Sequence, residues 1–432
     1  MKKNFLFLVF IFISKLVFSQ EVSFSGNINT SYGIFAPWTQ NSGDFSFGTT
    51  NFTGGVEAYF DKSSAFFEGK IGYNFAESKI LFDVNEAFVD FSSSFWGFRF
   101  GRQKIAFGKA DGINITNSVF PENSSSLFLE DSSLGIDGLR LSFFGNSFMI
   151  DVFWIPFFKA TKLPLDESNI LKKYIVPNSI EYEIPGLGSQ TIELNLGKFE
   201  SPELKIKNSE YALKISGYFP ICDISFYGFY GWDKTPMLNG KIVEKKEPYN
   251  IPTKVNVSGE YKKLTMIGLD TAFPIKEIVL RAETAFFPNR YQQTSYEYIL
   301  KNQISSVEKN QIIALCGLDW MPSTWTITAQ YFGDYIFGSL ENLQRNKNYT
   351  HGASFSISKT FFNDDSLELS LASLINFPDF DFVINLNTNY SLSDEIKLKF
   401  GTYIFSPGLK SDGTYGLYKN LSTFFVSAEY KF

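Results

Sequence analysis

Residues Phe424 to Phe432 read Phe-Phe-Val-Ser-Ala-Glu-Tyr-Lys-Phe, and this stretch at the end of the chain decides the fold. Its even positions are apolar or aromatic, whereas Ser427, Glu429 and Lys431 lie between them. Alternation with a period of two predicts a β-strand with one apolar and one polar face. A final strand of this kind is typical of a β-barrel that closes in a membrane, because its last strand must pair with its first.

The same alternation recurs along the chain. Apolar residues return at alternate positions in Val22 to Ile34, in Trp325 to Tyr335 and in Phe380 to Tyr390. The positions between them are rich in Ser, Asn, Thr and Gly, which is typical of a wet lumen. The pattern predicts an all-β transmembrane antiparallel up-and-down barrel of about eighteen strands, or sixteen if one hairpin lies outside the wall. The predicted strands are 21–35, 50–61, 64–76, 81–92, 96–107, 135–144, 148–157, 210–219, 222–232, 259–273, 277–287, 309–320, 324–337, 349–362, 366–377, 380–392, 395–406 and 419–432.

The connections between these segments differ in length in a regular way. Those that follow even-numbered strands are tight, such as Asp61-Lys-Ser-Ser and Asn363-Asp-Asp. Short turns at one end and long loops at the other are typical of outer-membrane barrels, and an even strand count puts both termini in the periplasm. We therefore predict one barrel over residues 20–432. Its long outer loops are 108–134, 158–209, 233–258 and 288–308.

The composition agrees with a membrane barrel. Aromatic residues make up 18% of the chain and Phe occurs 49 times, which suits a lipid-facing band with aromatic girdles. Mean hydropathy is only -0.07, and after the N-terminus there is no apolar run long enough for a transmembrane helix. A soluble propeller or solenoid would need a motif at a fixed period, and the sequence has none.

The N-terminus has the features of a secretory signal peptide. Lys2 and Lys3 precede an apolar run from Phe5 to Ile13, and Ser19 supplies a small residue near a cleavage site. We predict a signal peptide over residues 1–19. Its removal takes away three lysines and no acids, so 39 basic residues become 36 against 45 acidic ones, about −9. This acidity argues against a nucleic-acid partner.

Three motifs lie close together: Asn85-Glu-Ala-Phe-Val-Asp90, Phe98-Arg-Phe-Gly-Arg-Gln103 and Phe107-Gly-Lys-Ala-Asp-Gly112. Their strand–turn–strand arrangement resembles porin-like outer-membrane families, including the phosphate-selective and alginate-export groups. Phe107 stands where those families commonly have Trp. The resemblance covers a small part of the chain and implies a porin-like barrel without naming a substrate. Phe432 likewise resembles the terminal signature of outer-membrane barrels, which implies the barrel-assembly machinery as a partner.

Charged residues of inward parity are the candidates for the pore lining. Glu86 and Asp90 have this parity on one strand, and Arg99 and Gln103 have it on the next. Carboxylates beside a guanidinium predict a cross-strand ion pair. The pair either neutralises charge within the wall or contacts passing solutes, and both interpretations stay open.

A register slip at Gly101 would instead turn Arg102 and Lys104 inward. Charge on the lipid face costs about 2–4 kcal/mol for Arg or Lys at the midplane, which favours the lumen for the other inward charges too. Basic residues next to Ser, Thr or Asn favour anionic or polyhydroxylated solutes. The full set of pore-lining candidates is Glu68, Lys70, Glu86, Asp90, Arg99, Gln103, Arg140, Lys214, Arg281, Glu283, Lys397 and Lys399.

The loop 158–209 is long enough to act on the pore. A barrel loop of this length either folds into the lumen as a constriction or extends outward. The sequence leaves both alternatives open.

Catalysis finds little support. The chain has one histidine, His351, on the lipid-facing parity near a rim, so a Ser-His hydrolase or a metal centre cannot be assembled around it. Cys222 and Cys316 have neither metal-binding nor redox spacing. We expect no enzyme activity, no metal and no cofactor.

The leading prediction is an outer-membrane porin for passive diffusion of small hydrophilic solutes or ions. The main alternative is a surface adhesin or structural barrel that acts through its outer loops. A channel for hydrophobic substrates is disfavoured by the polar lumen. Expected partners are outer-membrane lipid, small solutes and the assembly machinery, and a homo-oligomer remains open.

Overall fold

The structure is a computed structural model. It describes residues 21–110, 112–113, 115–128, 132–184, 188–248, 251–362, 364–409 and 413–432. The predicted signal peptide 1–19 and Asp111 of the third motif lie outside the described residues. No helix among the described residues is both long and apolar enough to cross a membrane.

The described residues are dominated by β-strands. In chain order the strands are β1 (Glu21–Phe35), β2 (Phe45–Tyr59), β3 (Ser63–Asn74), β4 (Lys79–Ser92), β5 (Trp96–Gln103), β6 (Ile136–Phe144), β7 (Phe148–Ile155), β8 (Ser179–Ile184), β9 (Gly188–Glu200), β10 (Glu210–Tyr218), β11 (Asp223–Trp232), β12 (Met237–Lys246), β13 (Ile251–Glu260), β14 (Lys263–Ile275), β15 (Ile278–Gln293), β16 (Ser306–Trp320), β17 (Trp325–Ile336), β18 (Tyr349–Phe361), β19 (Leu367–Asn376), β20 (Asp381–Ser391), β21 (Ile396–Ser406) and β22 (Thr423–Lys431). Short helical turns lie at Thr116–Val119, Lys172–Ile175, Ile206–Asn208, Tyr296–Asn302 and Gly416–Leu421.

Eighteen of the described strands form one antiparallel sheet that closes on itself. Each wall strand pairs with the next one along the chain, with β7 pairing with β10 and β11 with β14. β1 pairs with both β2 and β22, so the sheet has no free edge. Closure leaves no strand at an unpaired edge of the wall, which a membrane requires. The prediction of eighteen strands is confirmed, and sixteen is wrong.

The final strand makes the closing seam. β22 pairs with β1 from Asn27↔Lys431 to Phe35↔Thr423. Beyond the ladder, Gly26 and Phe432 exchange two backbone hydrogen bonds, each of 3.0 Å. The terminal residue therefore belongs to the seam.

The two faces of the wall have different surroundings. On β11, Phe226 and Tyr230 are exposed on the outside, whereas Tyr227 and Phe229 are buried on the inside. Because successive side chains of a strand point to opposite faces, one parity meets lipid and the other meets the interior. Large exposed aromatic and aliphatic side chains recur on the outward parity around the whole wall.

The connections follow the predicted alternation with differences in detail. Two connections after odd-numbered strands, 75–78 and 377–380, are also tight. The predicted loop 288–308 is shorter than expected because β15 extends to Gln293 and β16 begins at Ser306. A short helix, Tyr296–Asn302, fills what remains, and the Ser295 hydroxyl caps it by accepting from the Tyr298 N–H at 3.3 Å.

A second, four-stranded sheet is built from two of the long loops. Its order is β12-β13-β9-β8, with β13 parallel to β9. It buries a small apolar cluster that includes Ile192, Leu194, Val255 and Val257. The predicted loops 158–209 and 233–258 thus contain strands in addition to the eighteen predicted for the wall. The alternation of Ile192 and Leu194 with charged and amide residues was their sequence signal.

Candidate functional site

The described residues of the segment 104–135, which we term the inner loop, lie inside the barrel. Its side chains Phe107, Ile115, Val119 and Phe120 are buried in one cluster with inward residues of the wall. Those wall residues come from β6, β7, β10, β11, β14, β15 and β16: Ile136, Phe153, Ile155, Ala212, Tyr227, Phe229, Leu264, Met266, Ala285, Phe287 and Leu315. The described residues of the predicted outer loop 108–134 are therefore folded into the barrel, where apolar side chains such as Ile115 and Val119 pack against the inner face of the wall.

The entrance of the inner loop is fixed by the third motif. The Phe107 ring lies 4.5 Å from the Tyr227 ring and 4.9 Å from the Phe120 ring, measured between centroids. Gly108 has a φ of +82°, and its N–H donates to the Tyr227 hydroxyl at 3.1 Å. A Cβ at Gly108 would overlap the carboxylate of Glu283. Only glycine combines this backbone angle with this close approach.

Glu283, on β15, anchors the inner loop. One carboxylate oxygen, Oε2, accepts from the N–H groups of Lys109 at 2.9 Å and Ala110 at 3.1 Å. The other, Oε1, accepts from the N–H of Thr116 at 2.8 Å and from its hydroxyl at 2.7 Å. The side chain is 4% exposed, so these bonds are made away from water, where unmet donors are costly.

Glu283 was predicted to line the pore. It has the predicted inward parity, but it lies beneath the inner loop and holds it in place instead of meeting water.

Arg281 holds the loop from the same strand. Its Nη1 donates to the carbonyl of Lys109 at 2.7 Å, and its Nη2 lies 2.5 Å from Oδ2 of Asp319 on β16. The Lys109 ammonium lies 3.7 Å from Oδ1 of Asp270 and 3.6 Å from Oδ2 of Asp223. The charged side chains on this part of the wall, from β11 to β16, therefore pair with one another and with the inner loop.

The far part of the inner loop reaches the opposite wall. The Phe128 ring stacks on Phe47 of β2 at 4.9 Å and lies 5.1 Å from Tyr403 of β21. Phe425 of β22 borders the same group, 5.6 Å from Tyr403. The inner loop thus crosses the interior from β15 to β21 and narrows it.

The predicted ion pair between β4 and β5 is present. Arg99 donates to Oδ2 of Asp90 through Nε at 3.1 Å and Nη2 at 2.6 Å. Its guanidinium also lies 3.8 Å from the centre of the Phe88 ring, a cation–π contact. The register runs unbroken through Gly101 despite its φ of +129°. Arg102 bonds to Asp137 at 3.0 and 2.9 Å.

The remaining predicted residues on β3 to β5 make local contacts. Glu68 accepts from the Asn85 amide at 2.7 Å, and Glu86 accepts from the Lys104 N–H at 2.8 Å. A bulge between Glu68 and Gly69 shifts the register here. Lys70 pairs in register with Asp83 and Thr53. Gln103 is buried, with its amide 3.4 Å from the carbonyl of Gly138.

The other predicted residues are spread around the wall. Arg140 lies next to Arg99 in the ladder, and its Nε is 3.9 Å from Oδ1 of Asp151. Lys214 reaches the carbonyl of Ala106 at 3.4 Å. Lys397 pairs in register with Glu429, and Lys399 with Asn389 and Ser427. These two lysines lie on β21, which β22, β1, β2, β3 and β4 separate from Arg99 on β5, so the candidates do not form one cluster.

Sequence reasoning missed several buried inward carboxylates, among them Asp151, Asp270 and Asp319. The Asp151 carboxylate accepts from the Ser142 hydroxyl, Asp270 accepts from the Tyr227 hydroxyl, and Asp319 accepts from Thr328 at 2.9 Å. Each lies at an inward position between two outward neighbours. The alternation that assigned Arg281 to the inner face would therefore have assigned these carboxylates there too.

Residues 166–169 of the loop 158–209 lie against the inner loop and β4 at the mouth of the barrel. The Asn169 amide donates to Glu77 at 2.9 Å and to the carbonyl of Ser125 at 2.8 Å. Asp166 pairs with Lys79, and the hydrogen bond from Lys79 is the main cause that lowers the pKa of Asp166 to about 2. One part of this loop therefore lies at the mouth of the barrel, and another part forms β8 and β9.

His351 lies in an aromatic group on the outer face. Its Nδ1 is 2.8 Å from the Tyr331 hydroxyl, and its ring stacks on Tyr349 at 4.9 Å. Both cysteines are free thiols, and Cys316 is exposed. Within the described ranges, no three His, Cys, Asp or Glu side chains come together as a metal site.

Comparison with known proteins supports the architecture. No protein-family model matches the chain, and no curated protein does. Among solved structures, Acinetobacter baumannii OccAB1 aligns with a TM-score of 0.54 at 9% identity, over 96% of this chain and 97% of that one. Pseudomonas aeruginosa OccK2 (OpdF) in complex with glucuronate aligns at 0.51 and 7% identity, over 96% and 98%. Pseudomonas aeruginosa OccK11 (OpdR) aligns at 0.50 and 8% identity, over 95% of each chain.

These likenesses extend over nearly the whole of each chain, although sequence identity is 9% or lower. They concern the fold alone. The described residues form a closed, eighteen-stranded antiparallel β-barrel with the fold of outer-membrane porins.

Proposed function

We propose that this protein is an outer-membrane porin through which small hydrophilic solutes and ions diffuse passively. The observation that carries the proposal is the inner loop, which crosses a closed barrel and is held at both ends. A barrel of eighteen strands is wide enough to enclose a channel, and an infolded segment narrows it to the size of small solutes.

The outward face supports a location in the outer membrane. Its exposed aromatic and aliphatic side chains suit lipid, and the wall has no open edge. Glu21, the first described residue, and Phe432 lie at the end of the barrel with the tight turns, which we place in the periplasm. The predicted signal peptide 1–19 would direct export. Phe432 would be read by the barrel-assembly machinery. A homo-oligomer remains a prediction.

The charged wall residues have two proposed roles. Arg281 and Glu283 position the inner loop and so set the width of the channel. The pair Arg99 and Asp90, with side chains 23% and 26% exposed, is open enough to meet water and solutes. Because the two charges are opposite in sign, this part of the wall hydrates solutes without strong selection by charge.

Liposome swelling tests the proposal. Proteoliposomes that contain the refolded chain are placed in isotonic solutions of uncharged solutes of increasing size. The expected result is fast swelling with the smallest solutes and a steep decline as size grows, since the inner loop sets the aperture. The proposal would be overturned if, with every solute, the proteoliposomes swelled no faster than protein-free liposomes.

A surface-binding function is the second candidate, because β8, β9, β12 and β13 form a separate sheet with its own apolar cluster. Such a sheet is more than a pore needs. Retained swelling after replacement of 179–200 by a short linker, together with loss of binding of cells to a surface, would favour this function.

A further inference from the structure

Lys359 carries a positive charge on the lipid-facing side of the wall. It lies on β18, two residues before the strand ends at Phe361, in register with Trp325 of β17 and Leu369 of β19. Phe355, four residues earlier on the same face, is exposed, as are Trp325 and Leu369. Because alternate residues of a strand share a face, the Lys359 side chain lies among groups that meet lipid.

Two aromatic rings hold the Lys359 ammonium at one end of the barrel. Its Nζ lies 4.7 Å from the centre of the Trp325 ring and 4.7 Å from the centre of the Phe361 ring. Trp325 is the first residue of β17 and Phe361 is the last of β18, so both rings lie at the end with the tight turns. Aromatic residues at the end of a membrane strand mark the depth of the lipid headgroups. The ammonium therefore lies at headgroup level.

The Lys359 ammonium has open hydrogen-bond donors. Within the part of the chain that the structure describes, it contacts the two rings but forms no ion pair and donates no hydrogen bond. The carboxylate of Asp364, five residues further on, accepts from the N–H of Ser366 at 3.2 Å instead. Cation–π contacts stabilise the charge by about 0.5–2 kcal/mol, yet they give its N–H groups no oxygen acceptor.

Lys263, at the opposite end of the barrel, shows a closed arrangement of the same kind. It begins β14 in register with Trp232, and its Nζ lies 4.0 Å from the centre of the Trp232 ring and 5.1 Å from that of Tyr230. That Nζ is buried, so a lipid headgroup cannot reach it. The Nζ of Lys359 is not buried, and the side chain is partly exposed.

An anionic phospholipid supplies what this part of the wall lacks. Its phosphate oxygens accept charge-assisted hydrogen bonds from an ammonium, and its negative charge offsets the positive one. The outward residues between Lys359 and the middle of the wall are apolar: Ile357 and Phe355 on β18 and Leu371 on β19. Acyl chains pack on such a surface, whereas a free phosphate ion gains nothing from it.

We propose that Lys359, with the rings of Trp325 and Phe361, binds the headgroup of an anionic phospholipid in the periplasmic leaflet, whose acyl chains lie along Ile357 and Phe355. This site rests on the outer-membrane location of the proposed porin. It adds a specific lipid partner on the outside of the wall, whatever passes through the channel.

Native mass spectrometry of the refolded full-length chain in detergent tests the site. Dioleoylphosphatidylglycerol is titrated in, and the Kd of the first bound lipid is compared with that of dioleoylphosphatidylcholine. We expect tighter binding of the anionic lipid. In K359M we expect its Kd to rise about fivefold, equivalent to about 1 kcal/mol for one lysine at the interface. K359R keeps the charge and should bind as the unaltered chain does.

K263M is the matched control, because it removes a lysine that lies over two rings on the same outward face but has a buried ammonium. Its Kd should stay unchanged. Heat-dependent mobility in gels shows which variants fold, and K359Q replaces K359M if the latter does not. Inorganic phosphate is added as a competitor and should leave the lipid bound.

Three results would overturn the lipid site: equal binding of the two lipids, an unchanged Kd in the folded K359M or K359Q variant, or displacement of the lipid by inorganic phosphate. Liposome swelling separates this site from the channel, since Lys359 lies outside the lumen and K359M should swell as the unaltered chain does. Absence of swelling in both would overturn the porin function and leave the lipid site standing.

Discussion

For a single residue, alternation along the strand predicts which face of the wall its side chain lies on, but not whether another segment covers it. Alternation assigned Glu283 and Arg281 to the inner face, and the structure places them there. Alternation cannot tell an open inward position from one covered by another segment, because that depends on where the inner loop folds. The bonds from Glu283 to Thr116 join residues far apart in sequence. Nothing local in the sequence encodes them.

The first prediction concerns Glu283→Gln. The amide has one acceptor where the carboxylate has two, so buried N–H groups of the inner loop lose partners at about 1–3 kcal/mol each. We expect the loop to detach while the barrel stays closed, with conductance several-fold higher and noisier. Glu429→Gln is the control, because Glu429 is an inward carboxylate whose ion-pair partner is Lys431. Unchanged conductance in Glu283→Gln would show that the loop does not need this anchor.

The second prediction separates the two interpretations of Arg99 and Asp90. Partly exposed ion pairs contribute about 0–1 kcal/mol, so Asp90→Asn should change stability little. It leaves Arg99 beside Arg140 in the ladder without its counter-charge. We expect the reversal potential in a salt gradient to shift toward anion selectivity, and Arg99→Gln to shift it the other way. If neither variant moves the potential, the pair only neutralises charge within the wall.

At the scale of elements, strands were more predictable than loops. Each predicted wall strand overlaps an observed one, because a lipid-facing side and a wet side impose alternation on every wall strand. The loops obey no such rule. The sequence does not decide whether 108–134 lies outside or inside the barrel. Its apolar residues, such as Ile115 and Val119, are as compatible with an outer domain as with an infolded segment.

The third prediction tests the seam between β1 and β22. A Cβ at Gly26 would lie 2.6 Å from the Phe432 ring and 3.0 Å from the carbonyl of Thr53. Gly26→Ala should therefore cost about 1–3 kcal/mol through overpacking, with a lower temperature for the heat-dependent mobility shift in gels.

Gly228→Ala is the matched control for the seam. Its Cβ would meet nothing closer than 3.9 Å, at Leu213, so its transition should stay near that of the unaltered chain. Equal transitions in the two variants would mean that the Phe432 ring moves aside freely.

At the scale of the whole molecule, the fold and the site follow from different physics. Closure and strand count follow from backbone hydrogen bonding. Lipid offers no hydrogen-bond partners, so the strands of the wall must pair with one another. The narrowing follows from the inner loop, whose ends are held by Glu283 on one wall and by Phe47 and Tyr403 on the other. Closure and strand count could be predicted from alternation in the sequence. The narrowing could not, because it depends on contacts that are seen only in three dimensions.

Single-channel recording of the refolded chain shows directly whether the inner loop narrows a conducting barrel. We expect discrete, steady conductance steps in potassium chloride for the unaltered protein and larger steps for Glu283→Gln, since the inner loop is what narrows the barrel. A correctly folded, heat-modifiable barrel that gives no resolvable current in either form would contradict it.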